Sequence, residues 1–192
     1  VFFVIMISTF VSGGIDLTGN QKDATAFQSF HVPNIDGDLS DSAWKHAKPI
    51  SDFIQSYPMN LVNPTERTEI RFLYDDHSLY ISARMYDTEP EMITRRMAKR
   101  DDWMGGFEDV SDWISIDIDS RHDHQTAFLF AVNASGVQVD AVVFDDSEID
   151  GEWNAVWKAE VNIDHLGWSA ELEIPFSILR FTHKEKMEWG IN

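Results

Sequence analysis

TAFLFAVNASGVQVDAVVF, residues 126–144, decides the fold. Two apolar, β-branched and aromatic runs, Thr126 to Asn133 and Val137 to Phe144, are joined by Ala-Ser-Gly, the composition of a β-hairpin turn. Working outward, Trp113 to Asp119 alternates Ile114, Ile116 and Ile118 against Trp113, Ser115, Asp117 and Asp119, as a sheet with one wet face requires. Thr68 to Tyr74 and Leu79 to Tyr86 alternate in the same way around a turn at Asp75 to Ser78. Val156 to Ile163 and Trp168 to Ile174 flank Asp164 to Gly167 as a further hairpin, and Pro175 ends the last of these. Glu91 to Arg100, opened by Pro90 with acids early and bases late, predicts a single helical insertion. About eight short strands at this spacing predict an all-β fold, an antiparallel β-sandwich of the jelly-roll kind with short helical insertions.

Composition limits what such a domain can do. The 192 residues suit one domain, and 43% hydrophobic with 12% aromatic residues excludes a disordered chain. A formal net charge of -18 repels phosphate backbones, which argues against a nucleic-acid partner and favours cations such as calcium. With no cysteine there is no disulfide, zinc-thiolate site or thiol nucleophile.

The ends carry their own signals. VFFVIMISTFV, residues 1–11, runs into Ser12, Gly13 and Gly14, which reads as the remnant of a secretion signal over 1–14. Residues 15–31 are polar with no developed period and read as a linker; the sandwich is expected over 32–192. MEWGIN, residues 187–192, stops inside a strand pattern, so the chain is expected to be the front part of a longer exported protein.

At the domain's start, IDGDLSDSAW, residues 35–44, combines an Asp-Gly turn with Ser40 or Asp41 as the cap of a short helix that turns Leu39, Ala43 and Trp44 inward. With FLYDDHSLYISARMYD (72–87), SDWISIDID (111–119), FAVNASGVQVD (130–140) and GWSAELEIPFSIL (167–179), it resembles the family 9 carbohydrate-binding module and its relatives. TERTEIR (65–71) and the terminal WGIN are similar to a subgroup in which this module precedes a domain of outer-membrane β-barrel character. The resemblance implies non-catalytic sugar binding on a β-sandwich, commonly with structural calcium, and a periplasmic or surface-side location in a Gram-negative bacterium. The implied partners are a glycan ligand and a downstream domain of the same chain, a membrane β-barrel among the options.

A sugar presents an apolar C–H face to an aromatic ring and hydroxyls to carboxylates, amides or Arg. Of the seven Trp residues, Trp44, Trp157, Trp168 and Trp189 sit in apolar contexts that suit core packing. Trp103 in DDWMGGF and Trp153 in DGEW sit in acidic, Gly-bearing loops and form the expected ligand platform, with Trp113 a third; local packing is the competing role for each. Arg84 and Asp140 are the candidate polar partners, and an ordinary solvated face with Arg84 paired to an Asp competes with that assignment.

Calcium takes six to eight oxygens. Asp109 and Asp112 in one acidic loop, and Asp145 and Asp146 in another, are the candidate ligands, although neither loop has EF-hand spacing. His122 and His124 form an H-x-H that lacks a third ligand. No nucleophile elbow, phosphate loop or HExxH is present. Glu171 and Glu173, about 7 Å apart on one strand face, match inverting glycosidases, as does any exposed strand with two such acids. Their block is scaffold in the resembling family, so the domain is expected not to be an enzyme. Haem ligation by Met85 and a histidine is disfavoured, because Met85 falls on the predicted core face.

Overall fold

A computed structural model describes residues 2–7, 22–55, 59, 62–145 and 148–192. Its strands are β1 (Phe2–Ile7), β2 (Lys22–Gln28), β3 (Thr68–Tyr74), β4 (Ser78–Tyr86), β5 (Trp113–Asp119), β6 (Thr126–Asn133), β7 (Gln138–Phe144), β8 (Glu148–Asp150), β9 (Lys158–Asp164), β10 (Gly167–Pro175) and β11 (Lys186–Ile191). One sheet runs β8-β7-β6-β5-β11 and the other β3-β4-β10-β9, while β1 and β2 continue the ladder between β11 and β3. Pairing is antiparallel except at β1–β11 and β2–β3.

Alternation builds the core. Ile70 and Phe72 of β3, Ile81 and Ala83 of β4, and Trp168 and Leu172 of β10 point inward from one sheet. They meet Ile116 and Ile118 of β5, Phe130 and Val132 of β6, and Trp189 of β11 from the other. This is the predicted β-sandwich. A second apolar layer, Leu129, Ala131, Val139 and Ala141, lies on the outer face of β6 and β7 beneath Phe107.

Two stretches add strands to the sequence reading, and a third departs from it. Lys22–Gln28, within the predicted linker, is a strand that buries Ala24 and Ala26 against the core. Phe2–Ile7, within the predicted secretion signal, pairs with β2 and β11. The helix predicted over Glu91 to Arg100 is not formed: only Pro90–Met92 makes a 3-10 turn, and the rest is an extended strap. The charge gradient that suggested a helix is there, but no apolar stripe accompanies it, and tertiary bonds to the strap win.

That strap positions the candidate site. Asn133, wholly buried, donates from Nδ2 to the Arg96 and Gly106 carbonyls at 2.8 and 2.6 Å and accepts from the Ser135 and Val137 amides. Asp112 closes the strap by a 2.7 Å amide bond to the Thr94 carbonyl and by accepting the Thr94 N–H at 2.6 Å.

On the opposite side of the molecule, Ile35 to Ala47 covers the outer face of β3, β4 and β10. Ala43 and Trp44 pack on Leu73 and Tyr80 there. Gly37 has φ of +83°, and a Cβ would lie 2.6 Å from the Val161 carbonyl carbon, so only glycine fits. Asp41 precedes a 3-10 turn, Ser42–His46, without a side-chain cap; its carboxylate instead accepts the Asn34 N–H at 2.6 Å.

Candidate functional site

Asp102 opens α1 (Trp103–Gly106) by accepting the Gly105 N–H at 2.9 Å. This turn lays the Trp103 ring parallel to Phe107, with centroids 5.1 Å apart and 2° between planes. Phe107 is fully buried and seats the pair on the second apolar layer. Trp113, at the start of β5, meets Trp103 at 5.0 Å with 70° between planes, so the two indoles form a corner. Trp113 is 38% exposed, a large apolar ring left open to solvent. The Trp103 indole N–H donates to Glu108 Oε1 at 2.8 Å, which fixes the ring's rotation. Glu108, Asp109 and Asp112, on the chain between the two indoles, are exposed carboxylates able to accept hydroxyls.

The remaining predicted binding residues lie elsewhere. Trp153 packs on Phe128 and Phe130, at 5.0 and 5.9 Å, against the inner face of β6. The same sheet therefore separates it from Trp103, and one sugar does not span both. Asp140 faces inward and is wholly buried, paired with Arg100; it accepts the Trp157 indole N–H at 3.0 Å and the Ala155 N–H at 2.7 Å. No oxygen of it faces solvent. Arg84 stands on the outer face of β4, paired with Asp164 and over the Tyr86 ring at 5.6 Å. Its hydrogen bond holds the Asp164 carboxyl below the usual carboxylate range. Arg84 is thus paired to an Asp, as the competing assignment has it, but its side chain is only 11% exposed rather than solvated.

Glu171 and Glu173 share the outer face of β10 but not an environment. Glu171 is wholly buried and accepts N–H groups of Asp36, Gly37 and Trp44, while Glu173 bonds Lys158 at 2.7 Å. Burial raises the Glu171 carboxyl above its ordinary value. Its neighbours leave no room for a substrate, so this is a structural acid rather than half of a glycosidase pair.

Calcium fits the described acids poorly. Asp109, Asp112 and Asp145 are exposed, Asp112 spends an oxygen on Thr94, and among the described residues no three of His, Asp or Glu converge as metal ligands. Asp146 lies outside the described residues. His122 and His124 contact each other edge to face at 4.7 Å, without a third ligand among the described residues.

Phe107, Glu108 and Asn133 are the contributors that sequence reasoning missed as binding-site elements. Only Glu108 carried a signal, as a carboxylate five residues past a loop Trp.

The chain is thus an all-β sandwich with an aromatic corner partly open to solvent. The family model "Carbohydrate family 9 binding domain-like" matches residues 35–192, and the chain belongs to that family. No curated protein matches the chain. Among solved structures it is similar to a family 9 carbohydrate-binding module from Caldicellulosiruptor kristjanssonii in complex with cellotriose. Identity is 17%, with 78% of this chain and 66% of that one covered at TM-score 0.54. The glucose complex of a family 9 module from the same organism matches at 16% identity over 79% and 68%, TM-score 0.55. A putative carbohydrate-binding protein from Bacteroides uniformis ATCC 8492 matches at 13% over 80% and 72%, TM-score 0.56. This chain thus spans just under two thirds of the first of these proteins, and at these identities the likeness establishes the fold.

Proposed function

We propose that this chain is a non-catalytic carbohydrate-binding module whose ligand stacks on the Trp103–Trp113 corner. The observation that carries the reading is Trp113, an indole 38% exposed and held at 5.0 Å from a second indole whose own N–H is fixed by Glu108. The ring packs edge-on against Trp103 and Phe107 and leaves the rest of its surface to water, which a pyranose C–H face covers well. Glu108 and Asp109 then accept sugar hydroxyls. Family membership supports the same ligand class.

Export is supported by apolar residues 1–11 followed by Ser12, Gly13 and Gly14. Removal of that stretch takes β1 away, yet β2 keeps its pairing with β3 and β11 keeps its pairing with β5. The module then works at the periplasmic or outer surface beside a downstream domain, with a membrane β-barrel as the partner. The mass of the mature N-terminus tests export.

Sugar binding is tested by calorimetry with cellotriose and glucose, followed by a glycan array. The expected result is saturable binding that Trp113→Ala weakens at least about tenfold, or about 1.4 kcal/mol. Silence across the whole array with a folded protein overturns the reading in favour of a structural domain docked on its downstream neighbour.

A further inference from the structure

Past the end of β5, away from the aromatic corner, lies a cleft of about 520 Å³ bounded by the β5–β6 loop, by residues 180–184 and by the first half of β11. β5 is 7 residues long, and at about 3.4 Å a residue it sets the cleft about 20 Å from Trp113. The volume is that of a small-ligand site, roughly 300–1,000 Å³. In a chain of net charge -18 its wall stands out, because Arg121, Arg180 and Lys184, three of the 15 Lys and Arg residues, border one opening. All three are exposed, and among the described residues none of them forms a salt bridge. The two acids on the wall already have partners. Asp123 accepts the Gln125 and Thr126 N–H groups at 2.9 Å, and Glu188 bonds Lys186 at 2.7 Å. Arg121 and Lys184 act on these carboxylates only as more distant charges. The cations are anchored through their backbone. Asp119, 3% exposed, accepts the Arg121 and His124 amides at 3.2 and 2.8 Å, Ser120 Oγ donates to the Arg180 carbonyl at 2.9 Å, and the Lys184 N–H donates to Met187 Sδ at 3.3 Å. Between them Phe181, half-buried, packs on Phe176 and Trp189 at 5.8 and 5.2 Å and keeps part of its ring on the cleft.

We infer that this cleft is a second ligand site, for an acidic sugar of the uronate class. Three like charges around one concave opening repel each other, and a bound anion relieves that repulsion. The guanidinium forks of Arg121 and Arg180 match the two coplanar oxygens of a carboxylate, and Lys184 adds a point charge. A bare inorganic anion has no use for the aromatic wall. A pyranose does, since its C–H face covers Phe181 while its hydroxyls meet Thr182 and Glu188. The net charge sets a limit as well: a polyuronate is repelled by the rest of the chain, so the favoured ligand is a single uronate on an otherwise neutral glycan. The site shares no residue with the Trp103–Trp113 corner and does not depend on that reading.

The test is a nuclear magnetic resonance titration with methyl glucuronide and methyl galacturonide, against neutral methyl glucoside, acetate and inorganic phosphate. One uronide or both are expected to shift the amides of Arg121 and of residues 180–184 saturably, and to bind there at least tenfold more tightly than the glucoside, acetate or phosphate. The Arg121→Ala/Arg180→Ala double variant is expected to weaken that binding at least tenfold. Lys45→Ala/Lys48→Ala removes the same charge from two exposed lysines outside the cleft and is expected to leave it unchanged. Acetate or phosphate binding as tightly reduces the cleft to a bare anion site and overturns the inference. Shifts confined to Trp103 and Trp113, an equal loss in the lysine variant, or no shift with either uronide in the folded protein overturns it too. Uronide binding here while glucoside, glucose and cellotriose leave Trp103 and Trp113 unmoved overturns the corner reading alone.

Discussion

The Trp44 indole N–H donates to Glu171 Oε1 at 2.6 Å across 127 residues of sequence. The same carboxylate accepts the Asp36 and Gly37 amides at 3.0 and 2.8 Å from its other oxygen. The Asp-Gly turn and the Trp of the opening motif thus converge on one buried acid of β10. Trp44→Phe keeps an aromatic side chain but removes one charge-assisted bond and leaves a small cavity, and its expected cost is at least about 1.5–3 kcal/mol in urea unfolding. Glu171→Gln is expected to destabilise as well, because its amide N–H₂ opposes N–H donors. The double variant should cost less than the sum of the singles, since the pair is in direct contact. Strict additivity disproves the coupling.

Asp140 ties the strap to the segment that carries Trp153 and Trp157. Arg100 pairs with it and also donates to the Ala155 carbonyl at 3.0 Å. Asp140→Ala leaves the buried Trp157 and part-buried Ala155 N–H donors without their acceptor, while Arg100 keeps Asp101 and the Ala155 carbonyl, and a loss of about 1–3 kcal/mol is expected from the thermal or denaturant midpoint. Arg100→Ala leaves the wholly buried Asp140 carboxylate without its counter-ion and should cost at least as much. If Asp140→Ala proves neutral in stability and lowers sugar affinity instead, its role as a ligand group is restored.

The strands were legible because each has one face in the core, and period-two alternation reports that directly. The aromatic corner was not. Trp103 reaches Trp113 only because residues 93–102 cross the sheet as an extended strap bonded to Asn133, and nothing local in that charged run distinguishes a strap from a helix. Asp140 looked solvated because it is an acid in a strand; its partner Arg100 lies 40 residues away in a segment of misread conformation. Trp153 was misjudged for a related reason. An acidic Gly-bearing loop says nothing about the apolar face of Phe128 and Phe130 onto which its Trp folds.

Asn133 is the hinge pin of the strap. Asn133→Asp keeps its two acceptor contacts but removes both donors, so the part-buried Arg96 and buried Gly106 carbonyls lose their partner beside a new negative charge. A cost of about 2 kcal/mol or more is expected in denaturant unfolding. Because Phe107 and Trp103 ride on the strap, sugar affinity is expected to fall even where the sandwich stays folded, as judged by near-ultraviolet circular dichroism. Unchanged affinity in a destabilised Asn133→Asp protein argues that ligand contacts lie off the corner.

Calcium is expected to leave the protein's melting temperature unchanged. The described acids that could coordinate it are exposed and scattered, and a site binding at micromolar strength adds about 2.7 kcal/mol when calcium is a hundredfold above its Kd. A rise of several degrees in millimolar calcium, reversed by chelator, places a site outside the acids described.

Asp117 makes stability fall as pH rises. It lies beside the cleft floored by Asp119, Ala127 and Val143, its Oδ1 is buried without a hydrogen-bond partner, and burial pushes its carboxyl up to about 6. The folded state therefore holds a proton that the unfolded chain releases near 3.8, and the stability gained by this is full below that pH. It is lost as pH climbs from there through about 6, a change on the order of 3 kcal/mol from this one group. Asp117→Asn stays neutral and removes the dependence. Its stability curve should run flatter than the wild type's between pH 4 and 6, as set by urea midpoints at matched ionic strength. At pH 7 the variant should be the more stable of the two, and a wild-type protein that outlasts it there contradicts the assignment.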